Sequence, residues 1–466
     1  MINIMKVLML NPSYSERKLS TDPILTRCTG VPSKAPYVWP PIGLAYIASA
    51  LRKSSGAEVR VIDAQVEKFD TEIFRGFDLV ALNAGTSTID YDVRLAKKIE
   101  NFGPRVAMIG VHAAYFHKEV IRHCDFVIRG EPDRVLADLV TCLDEEGDLS
   151  KVKGITWKDR GKIRVNGDDP PGDDLDSLPF QGEDLLSKGY YDIIAKRKPI
   201  AFMITSRGCP FGCRFCSAKF YSREYRFRSA ENVFEEVKCL AGRGIKDITF
   251  FDDSFTINRE RVMKLCSLMK EAKLDLSWRC LSRTDTVDRE MLENMKDSGC
   301  YQIQFGVESG DQGMLDLMKK GVKVEKVKET FRLCDEAGIE TVGFFMLGYP
   351  GETLDSIKNS MELAKSMRPD FVTFNLFTPL PGSEVFDSMP RKEWGKYDFT
   401  SSSFCDLPSP RMLEIIGKAY RGYYLKPSYV LRRVRKTKEP GRIMMQNASF
   451  WRKRGGVLWE FIRGKT

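Results

Sequence analysis

Short apolar runs typical of β-strands alternate with amphipathic, helix-like stretches along most of the chain. Because a strand, a helix and a second strand in succession form a parallel pair, this alternation predicts α/β architecture. Five such strands in the first part predict a doubly wound, Rossmann-like (flavodoxin-like) sheet, and they are KVLMLNP, AEVRVIDA, DLVALNAG, RVAMIGVH and DFVIRGE. Such sheets bind ligands at the carboxyl ends of their strands. Those ends carry residues 11–13, 86–88, 110–112 and 130–131.

Six further strand-like runs follow, and they are AFMITS, DITFFDD, LSWRCLSR, YQIQFGVES, TVGFFMLG and FVTFNLF. Six β/α units predict a partial (β/α)6, TIM-like barrel with its chemistry at the carboxyl ends of the strands. The connecting segment contains a hairpin-like stretch, ITWKDRGKIRVN, and an acidic linker, DDPPGDDLDSLP. We therefore expect a first domain at 1–147, a hairpin and linker at 148–195, the barrel at 196–410 and an extension at 411–466.

Composition limits where such a chain can work. It has 466 residues, and it lacks an apolar run long enough to span a bilayer as a helix. Its amino-terminal stretch, MINIMKVLMLNPSY, is typical of a buried strand rather than a signal peptide. Twelve cysteines without the even spacing of a disulfide framework fit a reducing compartment. These observations predict a cytoplasmic protein, with peripheral contact to a membrane as an open alternative.

Three cysteines stand apart from the others in the segment TSRGCPFGCRFC. Cys209, Cys213 and Cys216 have the spacing C-x3-C-x2-C. Thiolates so close together bind a metal centre, either an iron–sulfur cluster or zinc. All three histidines lie in the first domain, which argues against a structural zinc site that needs a fourth protein ligand. An iron–sulfur cluster with one iron left open to another ligand is the favoured interpretation.

The cysteine spacing, with Phe215 before the last cysteine, resembles the radical SAM superfamily. Other segments match that family in order, and they are FFDDSFTIN, WRCLSRTDTVD, FGVESG, GFFMLGYPGET and FTPLPGS. The resemblance covers essentially residues 1–410. It implies one 4Fe–4S cluster whose open iron chelates S-adenosylmethionine (SAM), and an electron that cleaves SAM to a 5′-deoxyadenosyl radical.

The resemblance also implies SAM contacts for Phe215, Asp252, Asp253, Arg283 and Glu308. Each has a structural alternative. The two aspartates could cap the following helix, Arg283 and Asp285 could form a surface ion pair, and Phe215 could pack the loop together with Phe211.

The first domain resembles the cobalamin-binding module that precedes the barrel in the cobalamin-dependent class of the superfamily. This resemblance implies cobalamin contacts for Thr86, Ser87, Thr88, Gly110, His112, Gly130 and Glu131. The D-x-H-x-x-G signature that supplies a lower cobalt ligand in many cobalamin proteins is absent. Loss of cobalamin binding, or a partner in its place, therefore stays open.

The carboxyl-terminal extension is strongly basic. Residues 411–466 contain fifteen Lys and Arg against three Asp and Glu, whereas the rest of the chain has a balance of −3. Tyr, Trp and Leu residues lie between the basic ones. Such a segment, expected to be mostly helical, could contact an anionic membrane, bind RNA, or cap the barrel with its charges in solvent.

Together these features predict a cobalamin-dependent radical SAM enzyme that activates a C–H bond, with methyl transfer from methylcobalamin as its reaction. An alternative is oxidative cyclisation or carbon–carbon coupling, as in the similar anaerobic magnesium-protoporphyrin ester cyclases. A different class is a non-catalytic corrinoid- or RNA-binding protein with a structural cluster. A tRNA methylthiotransferase is disfavoured, because the first domain lacks that family's three-cysteine site. We expect a small-molecule, lipid or tetrapyrrole substrate, a flavodoxin or ferredoxin as electron donor, and no nucleic-acid partner.

Overall fold

The computed structural model of the chain describes residues 4–12, 20–21, 28–29, 37–170, 172, 174–186, 189–192, 195–222, 224–389 and 404–436. The strands of its first sheet are β1 (Lys6–Asn11), β2 (Glu58–Asp63), β3 (Leu79–Asn83), β4 (Arg105–Ile109), β5 (Phe126–Ile128), β6 (Ile155–Asp159) and β7 (Lys162–Val165). Their order is β7-β6-β5-β4-β3-β1-β2, with β1 to β5 parallel. This confirms the predicted doubly wound sheet. Its order reverses between β1 and β3, where such sheets bind ligands.

The helices of this domain are α1 (Ile42–Ser55), α2 (Ile89–Glu100), α3 (Val111–Tyr115), α4 (His117–Val120) and α5 (Pro132–Asp144). Helices α1 and α5 pack on one face of the sheet, and α2 packs on the other. Helix α1 ends where Gly56 adopts φ of 69° and donates its N–H to the Arg52 carbonyl, the left-handed cap that glycine favours.

The predicted hairpin lies on the edge of the first sheet. Strands β6 and β7 are joined through Arg160 and Gly161, whose φ values of 47° and 81° suit a two-residue hairpin turn. Strand β6 also pairs antiparallel with β5, with Ile155 opposite Ile128. The hairpin therefore extends the sheet across the boundary that we placed at residue 147.

The second half is the predicted six-stranded partial barrel. Its strands are β8 (Ile200–Met203), β11 (Asp247–Phe250), β12 (Ser277–Ser282), β13 (Cys300–Glu308), β14 (Glu340–Leu347) and β15 (Phe371–Leu376), parallel and in chain order, and a two-stranded ribbon of β9 (Ser206–Arg207) and β10 (Arg226–Phe227) follows β8. Its helices are α6 (Ala218–Tyr221), α7 (Ala230–Gly242), α8 (Arg259–Glu271), α9 (Arg289–Asp297), α10 (Gln312–Leu317), α11 (Val324–Glu336), α12 (Leu354–Met367) and α13 (Glu384–Ser388). Two-residue strands also pair at Ser20–Thr21 with Cys28–Thr29, and at Tyr37–Val38 with Tyr191–Asp192.

The two domains share an apolar core. Phe202, Phe251 and Leu281 of the barrel belong to the same buried cluster as the residues of α1 and α5. The ring of Trp39, just before α1, lies 5.7 Å from the Phe202 ring and 5.3 Å from the Phe251 ring. Burial of this much apolar surface holds the domains in a defined relation.

The carboxyl-terminal extension begins with helices α14 (Ser409–Tyr424) and α15 (Pro427–Lys436), and residues 437–466 lie outside the described residues. Helix α14 covers the edge strand of the barrel. The Tyr424 hydroxyl accepts from the Val372 N–H at 2.9 Å, and the Tyr420 hydroxyl accepts from the Phe374 N–H at 3.1 Å. These tyrosines are buried, and their hydroxyl groups bond to the backbone of the edge strand. This part of the extension therefore caps the barrel, and its buried tyrosines do not face a membrane.

We expect Tyr424→Phe to lower the free energy of unfolding by about 1–3 kcal/mol, because the Val372 N–H and C=O would lose a buried partner. Urea unfolding of the purified protein measures this. The control is Lys418→Ala, which alters an exposed residue of the same helix that pairs with Glu414 on the surface, and it should change the free energy of unfolding by less than about 1 kcal/mol. Equal stability of Tyr424→Phe and the unchanged protein would contradict the capping role.

Candidate functional site

The three cysteines lie in a loop that leaves the barrel between β9 and β10. Gly208 begins this loop with φ of 77°, and a Cβ at this position would lie 2.3 Å from the Glu224 carbonyl oxygen, so only glycine fits. The backbone of Arg214 bonds the loop to the barrel twice. Its N–H donates to the Met318 carbonyl, and its carbonyl accepts from the Val385 N–H, each at 3.0 Å.

The three thiols and the Asp253 carboxyl lie within electrostatic reach of one another. Burial raises the pKa of the Cys216 thiol to about 12, and Asp253, Cys213 and Cys209 raise this pKa further. Burial also raises the pKa of Cys209, again with Asp253 and Cys213 contributing. A thiolate here needs a positive partner, and metal binding supplies one while releasing the thiol proton.

This donor set suits a centre of several metal ions. Among the described residues, no group of three or more His, Cys, Asp or Glu side chains is arranged to hold one metal ion. The three thiols lie near one another, since Cys213 acts on the pKa of Cys209 and both act on the pKa of Cys216. An iron–sulfur cluster is wider and takes one thiolate at each of several irons, so the residues fit it. Their role as its ligands stays a prediction.

Asp252 and Asp253 have different surroundings although they are adjacent. Asp252 is fully buried and accepts from the Thr205 N–H, the Thr205 hydroxyl and the Ser206 N–H, and its carboxylate lies 3.6 Å from Arg261. It is thus committed to the strand end that leads into the cysteine loop. Asp252 is held by contacts within the protein, and its contact with SAM stays a prediction. Neither aspartate caps α8, whose N-cap is Asn258. Asp253 lies within electrostatic reach of Cys209 and Cys216.

Arg283 lies under the cysteine loop and is buried rather than on the surface. Its guanidinium forms two hydrogen bonds with Asp285, at 2.9 and 2.8 Å, and donates to the Lys320 carbonyl at 2.7 Å. A fourth N–H reaches the Cys213 sulfur at 3.6 Å, and the guanidinium carbon lies 3.6 Å from the centre of the Phe211 ring. With these partners Arg283 braces the loop beside Cys213, and its pairing with the SAM carboxylate stays a prediction.

Glu308 is held by a lysine that sequence reasoning missed. The Lys320 ammonium donates to the Glu308 carboxylate at 3.0 Å and lies 5.9 Å from the centre of the Phe215 ring. Glu308 has φ of 68° at a bulge in β13, and a Cβ on Gly306 would lie 2.5 Å from its carboxylate. Lys320 follows a short helix and the equally basic Lys319, so the sequence does not distinguish it. Only the need of the Glu308 carboxylate for a cationic partner could have indicated Lys320.

The first sheet places most of the predicted cobalamin contacts at its carboxyl edge. The Thr86–Thr88 loop follows β3, where the Thr88 hydroxyl donates to the buried Asp92 carboxylate at 2.8 Å. Gly110 follows β4 with φ of 114°, and a Cβ there would lie 2.5 Å from the Ala84 carbonyl. Gly130 follows β5 with φ of 92°.

His112 lies between this edge and the barrel. Burial lowers the pKa of His112 to about 3, so its imidazole is neutral at pH 7. Its ring is 4.7 Å from Phe116, and the neighbouring Tyr115 ring contacts Phe220 and Phe386 of the barrel at 5.3 and 5.6 Å. A role as a corrin contact stays a prediction for His112.

Polar side chains that sequence reasoning missed lie at the point where the strand order reverses. Asn11 donates to Asp63 at 2.9 Å, and Asn83 donates to Asn11 at 3.0 Å. The Gln65 amide nitrogen is buried and has no hydrogen-bond partner among the described residues, and the Asp63 carboxylate also faces the Tyr190 hydroxyl. Corrin rings carry amide side chains, which such groups can bind, so this edge fits cobalamin.

We expect Asp63→Asn to stabilise the apoprotein above pH 6 by about 1–3 kcal/mol. Burial raises the pKa of Asp63 from 3.8 to about 6, with Glu67 adding to the effect. The folded chain then keeps a proton that the unfolded chain loses, so stability falls as pH rises from about 4 to about 6. Urea unfolding between pH 4 and 8 measures the stability of both proteins. If the stability of the Asp63→Asn variant depended on pH in the same way as that of the unaltered protein, the prediction would be contradicted.

Glu131 lies at the carboxyl end of β5 and binds two arginines. Its carboxylate binds Arg207 at 2.6 Å and also Arg226, both in the barrel. Although burial opposes ionisation, these arginines hold the pKa of Glu131 below its ordinary value. Both carboxylate oxygens are paired with arginines of the barrel, and a corrin contact for Glu131 stays a prediction.

Comparison with known proteins agrees with both resemblances. A family model for the Radical SAM superfamily matches residues 203–364, and one for the B12 binding domain matches residues 29–140. The chain therefore contains a B12-binding domain followed by a radical SAM domain, the pair of domains that supports a place in the cobalamin-dependent radical SAM group. A radical SAM domain implies a 4Fe–4S cluster and SAM, and a B12-binding domain implies cobalamin. The exact domain boundaries stay predictions.

Relatives in this group cover nearly the whole chain. An uncharacterized methyltransferase of Pyrococcus horikoshii is 29% identical over 452 residues, which are 92% of this chain and 95% of the relative. The anaerobic magnesium-protoporphyrin IX monomethyl ester cyclase of Rubrivivax gelatinosus is 26% identical over 434 residues, 87% of this chain and 78% of the cyclase. The fold is similar to that of the radical SAM methyltransferase TsrM of Kitasatospora setae, solved with cobalamin and a [4Fe-4S] cluster (TM-score 0.65, 17% identity, 82% of this chain and 75% of TsrM).

The described part of the chain contains no helix that is long and apolar enough to cross a membrane.

Proposed function

We propose that this radical SAM protein is a methyltransferase that uses cobalamin to methylate an unactivated carbon of a small molecule. One observation carries the proposal. Arg207, two residues before Cys209, binds Glu131 at the carboxyl end of β5, so the cysteine loop and the cobalamin edge face each other. A methyl group passing between SAM and cobalt requires this arrangement, because the two centres must approach closely.

The site residues have separate duties in this proposal. Cys209, Cys213 and Cys216 would hold three irons of the cluster, and Asp253 and the Lys320–Glu308 pair would orient SAM beside it. When bound, the cluster and cobalamin supply radical formation from SAM and a transferable methyl group. The partly buried rings of Phe211 and Phe215 limit the access of water to this region.

Analysis of SAM products tests this proposal. After anaerobic reconstitution with iron, sulfide and cobalamin, and with a reductant or reduced flavodoxin, methyl transfer predicts S-adenosylhomocysteine together with 5′-deoxyadenosine. Deoxyadenosine without S-adenosylhomocysteine would instead support oxidative cyclisation of a tetrapyrrole or lipid, the activity named for the magnesium-protoporphyrin relative. If neither product forms, the result would support a non-catalytic corrinoid- or RNA-binding protein.

A peripheral contact with an anionic membrane is also proposed for helix α15. Leu425, Val430, Leu431 and Val434 are 43–56% exposed and lie within ten residues, the densest group of exposed large apolar side chains among the described residues. Basic residues surround them, and the segment 411–436 contains eight Lys and Arg against one Glu. Apolar side chains within a basic helix suit a bilayer with anionic headgroups.

We expect Leu431→Asp combined with Val434→Asp to reduce co-sedimentation with phosphatidylglycerol-containing vesicles by about tenfold or more. The matched control is Ile163→Asp with Val165→Asp, which changes two comparably exposed residues of the edge strand β7. Binding to phosphatidylcholine vesicles alone should be weak for every variant. Equal binding by the α15 variant and the control would contradict the membrane contact.

A further inference from the structure

The loop that carries the three cysteines is held at its base by one glutamate of the other domain. Strands β9 and β10 pair antiparallel with Arg207 directly opposite Arg226, and residues 208–225 form the loop between them. Both guanidinium groups reach Glu131. Arg207 binds one carboxylate oxygen at 2.6 Å and Arg226 binds the other. A single side chain therefore joins both strands of the ribbon to the end of β5.

We call Glu131 with Arg207 and Arg226 the clamp, and two neighbouring side chains complete it. The Asp133 carboxylate accepts from Arg207 at 2.9 and 3.0 Å, and the Ser222 hydroxyl donates to Glu131 at 3.2 Å. Two carboxylates thus balance two guanidinium groups, and all of these residues are less than a tenth exposed. A buried charge network stabilises a fold no better than apolar packing would, so its distinctive property here is the fixed geometry.

Both ends of the clamp are rigid. Glu131 follows β5 and is the N-cap residue of α5, while Gly208 begins the cysteine loop in a conformation that only glycine fits. A shift of Glu131 would be passed to the loop through two arginines at once.

We propose that Glu131 is a positioning residue that fixes the cysteine loop, and with it SAM, relative to the cobalamin edge. This inference rests on the proposed function. The methyl group of SAM must approach the cobalt in a narrow range of geometries, and a misplacement of about 1 Å costs about 100-fold in rate. Formation of the deoxyadenosyl radical needs only the loop and the barrel. Loosening the clamp should therefore impair cobalamin methylation far more than radical formation.

The variants are Glu131→Gln, which removes the charge, and Glu131→Asp, which keeps the charge and shortens the reach. The control is Tyr46→Phe, which removes a different bond between the domains, from the Tyr46 hydroxyl to Glu236 at 3.0 Å. Two rates are measured on reconstituted protein without substrate. These are 5′-deoxyadenosine formation, and conversion of cob(I)alamin and SAM to methylcobalamin and S-adenosylhomocysteine.

We expect Glu131→Gln to slow methylcobalamin formation by about 100-fold and to change deoxyadenosine formation by less than about threefold. The rate of methylcobalamin formation by Glu131→Asp should lie between the rates of Glu131→Gln and the unaltered protein. Tyr46→Phe should leave the ratio of the two rates unchanged. An equal fall in both rates, no fall in either, or the same change of ratio in Tyr46→Phe would overturn the inference.

Hydrogen exchange of the apoprotein provides a second readout that needs no cofactor. Glu131→Gln should speed amide exchange within residues 206–226 by about tenfold or more, with little change in α7. Unchanged exchange in this loop would overturn the inference whatever the rates are. If the unaltered protein forms no methylcobalamin but its loop exchange depends on Glu131, the proposed function fails while the clamp remains.

Discussion

Cys213→Ser is expected to reduce 5′-deoxyadenosine formation to background and to leave the reconstituted protein without a stable 4Fe–4S centre. Cys213 lies within electrostatic reach of Cys209 and Cys216, and Arg283 donates to its sulfur. Loss of one of three thiolates removes a corner of the cluster, since a serine hydroxyl is a poor iron ligand at neutral pH. Iron and sulfide analysis and the visible spectrum measure the centre, and chromatography measures the nucleoside.

The matched control is Cys239→Ser, which alters an exposed thiol on α7. It should keep about four irons per chain and full SAM cleavage. A Cys213→Ser protein that retains the same iron content and cleavage rate as this control would show that the loop does not hold the cluster.

Lys320→Met is expected to weaken SAM binding by about 10- to 100-fold, the range of a lost hydrogen bond to a charged group. The ammonium of Lys320 holds the Glu308 carboxylate at 3.0 Å, and its carbonyl holds Arg283 at 2.7 Å. Removing the charge would leave Glu308 partly buried without its cation and free to leave the position in which we predict that it contacts SAM. Equilibrium dialysis of SAM against the reconstituted protein measures the affinity.

Its neighbour provides a close control. Lys319 is exposed and pairs with Glu384 at 3.0 Å on the surface, so Lys319→Met should change SAM affinity by less than about twofold. Lys320→Arg should recover part of the affinity because it keeps the charge. Similar affinities for Lys319→Met and Lys320→Met would remove Lys320 from the site.

The sequence predicted the parts of this architecture that depend on local pattern. Alternating strand and helix periods were enough for the parallel sheet and the partial barrel, and the cysteine spacing was enough for the loop. The hairpin at 155–165 was also predicted, but its pairing with β5 was not, because register with a distant strand leaves no local signal.

Side-chain roles at the site depended on contacts that sequence cannot show. Asp252 and Asp253 are equivalent by composition, yet the chain buries one among Thr205 and Ser206 and turns the other toward the cysteines. Glu131 was placed at the carboxyl edge of the sheet, but its two arginine partners were not predicted, since they lie more than seventy residues away along the chain. The role of Lys320 could be inferred only once the position of the Glu308 side chain was known.

The carboxyl-terminal extension shows the same limit. Its basic and aromatic composition suits a membrane, RNA or a barrel cap equally. Hydroxyl groups of Tyr420 and Tyr424 bind the backbone of β15, which assigns the aromatic face of α14 to the cap. Within the described part of the extension, the exposed aliphatic residues between Leu425 and Val434 remain for a membrane.

Electron paramagnetic resonance of the reduced, reconstituted protein tests the central claim most directly, namely an iron–sulfur cluster with one iron open to SAM. We predict a 4Fe–4S signal whose g-values shift when SAM is added and stay unchanged when adenosine, which lacks the amino-acid groups that chelate iron, is added in its place. A signal that is absent, or that is the same with and without SAM, would contradict the account.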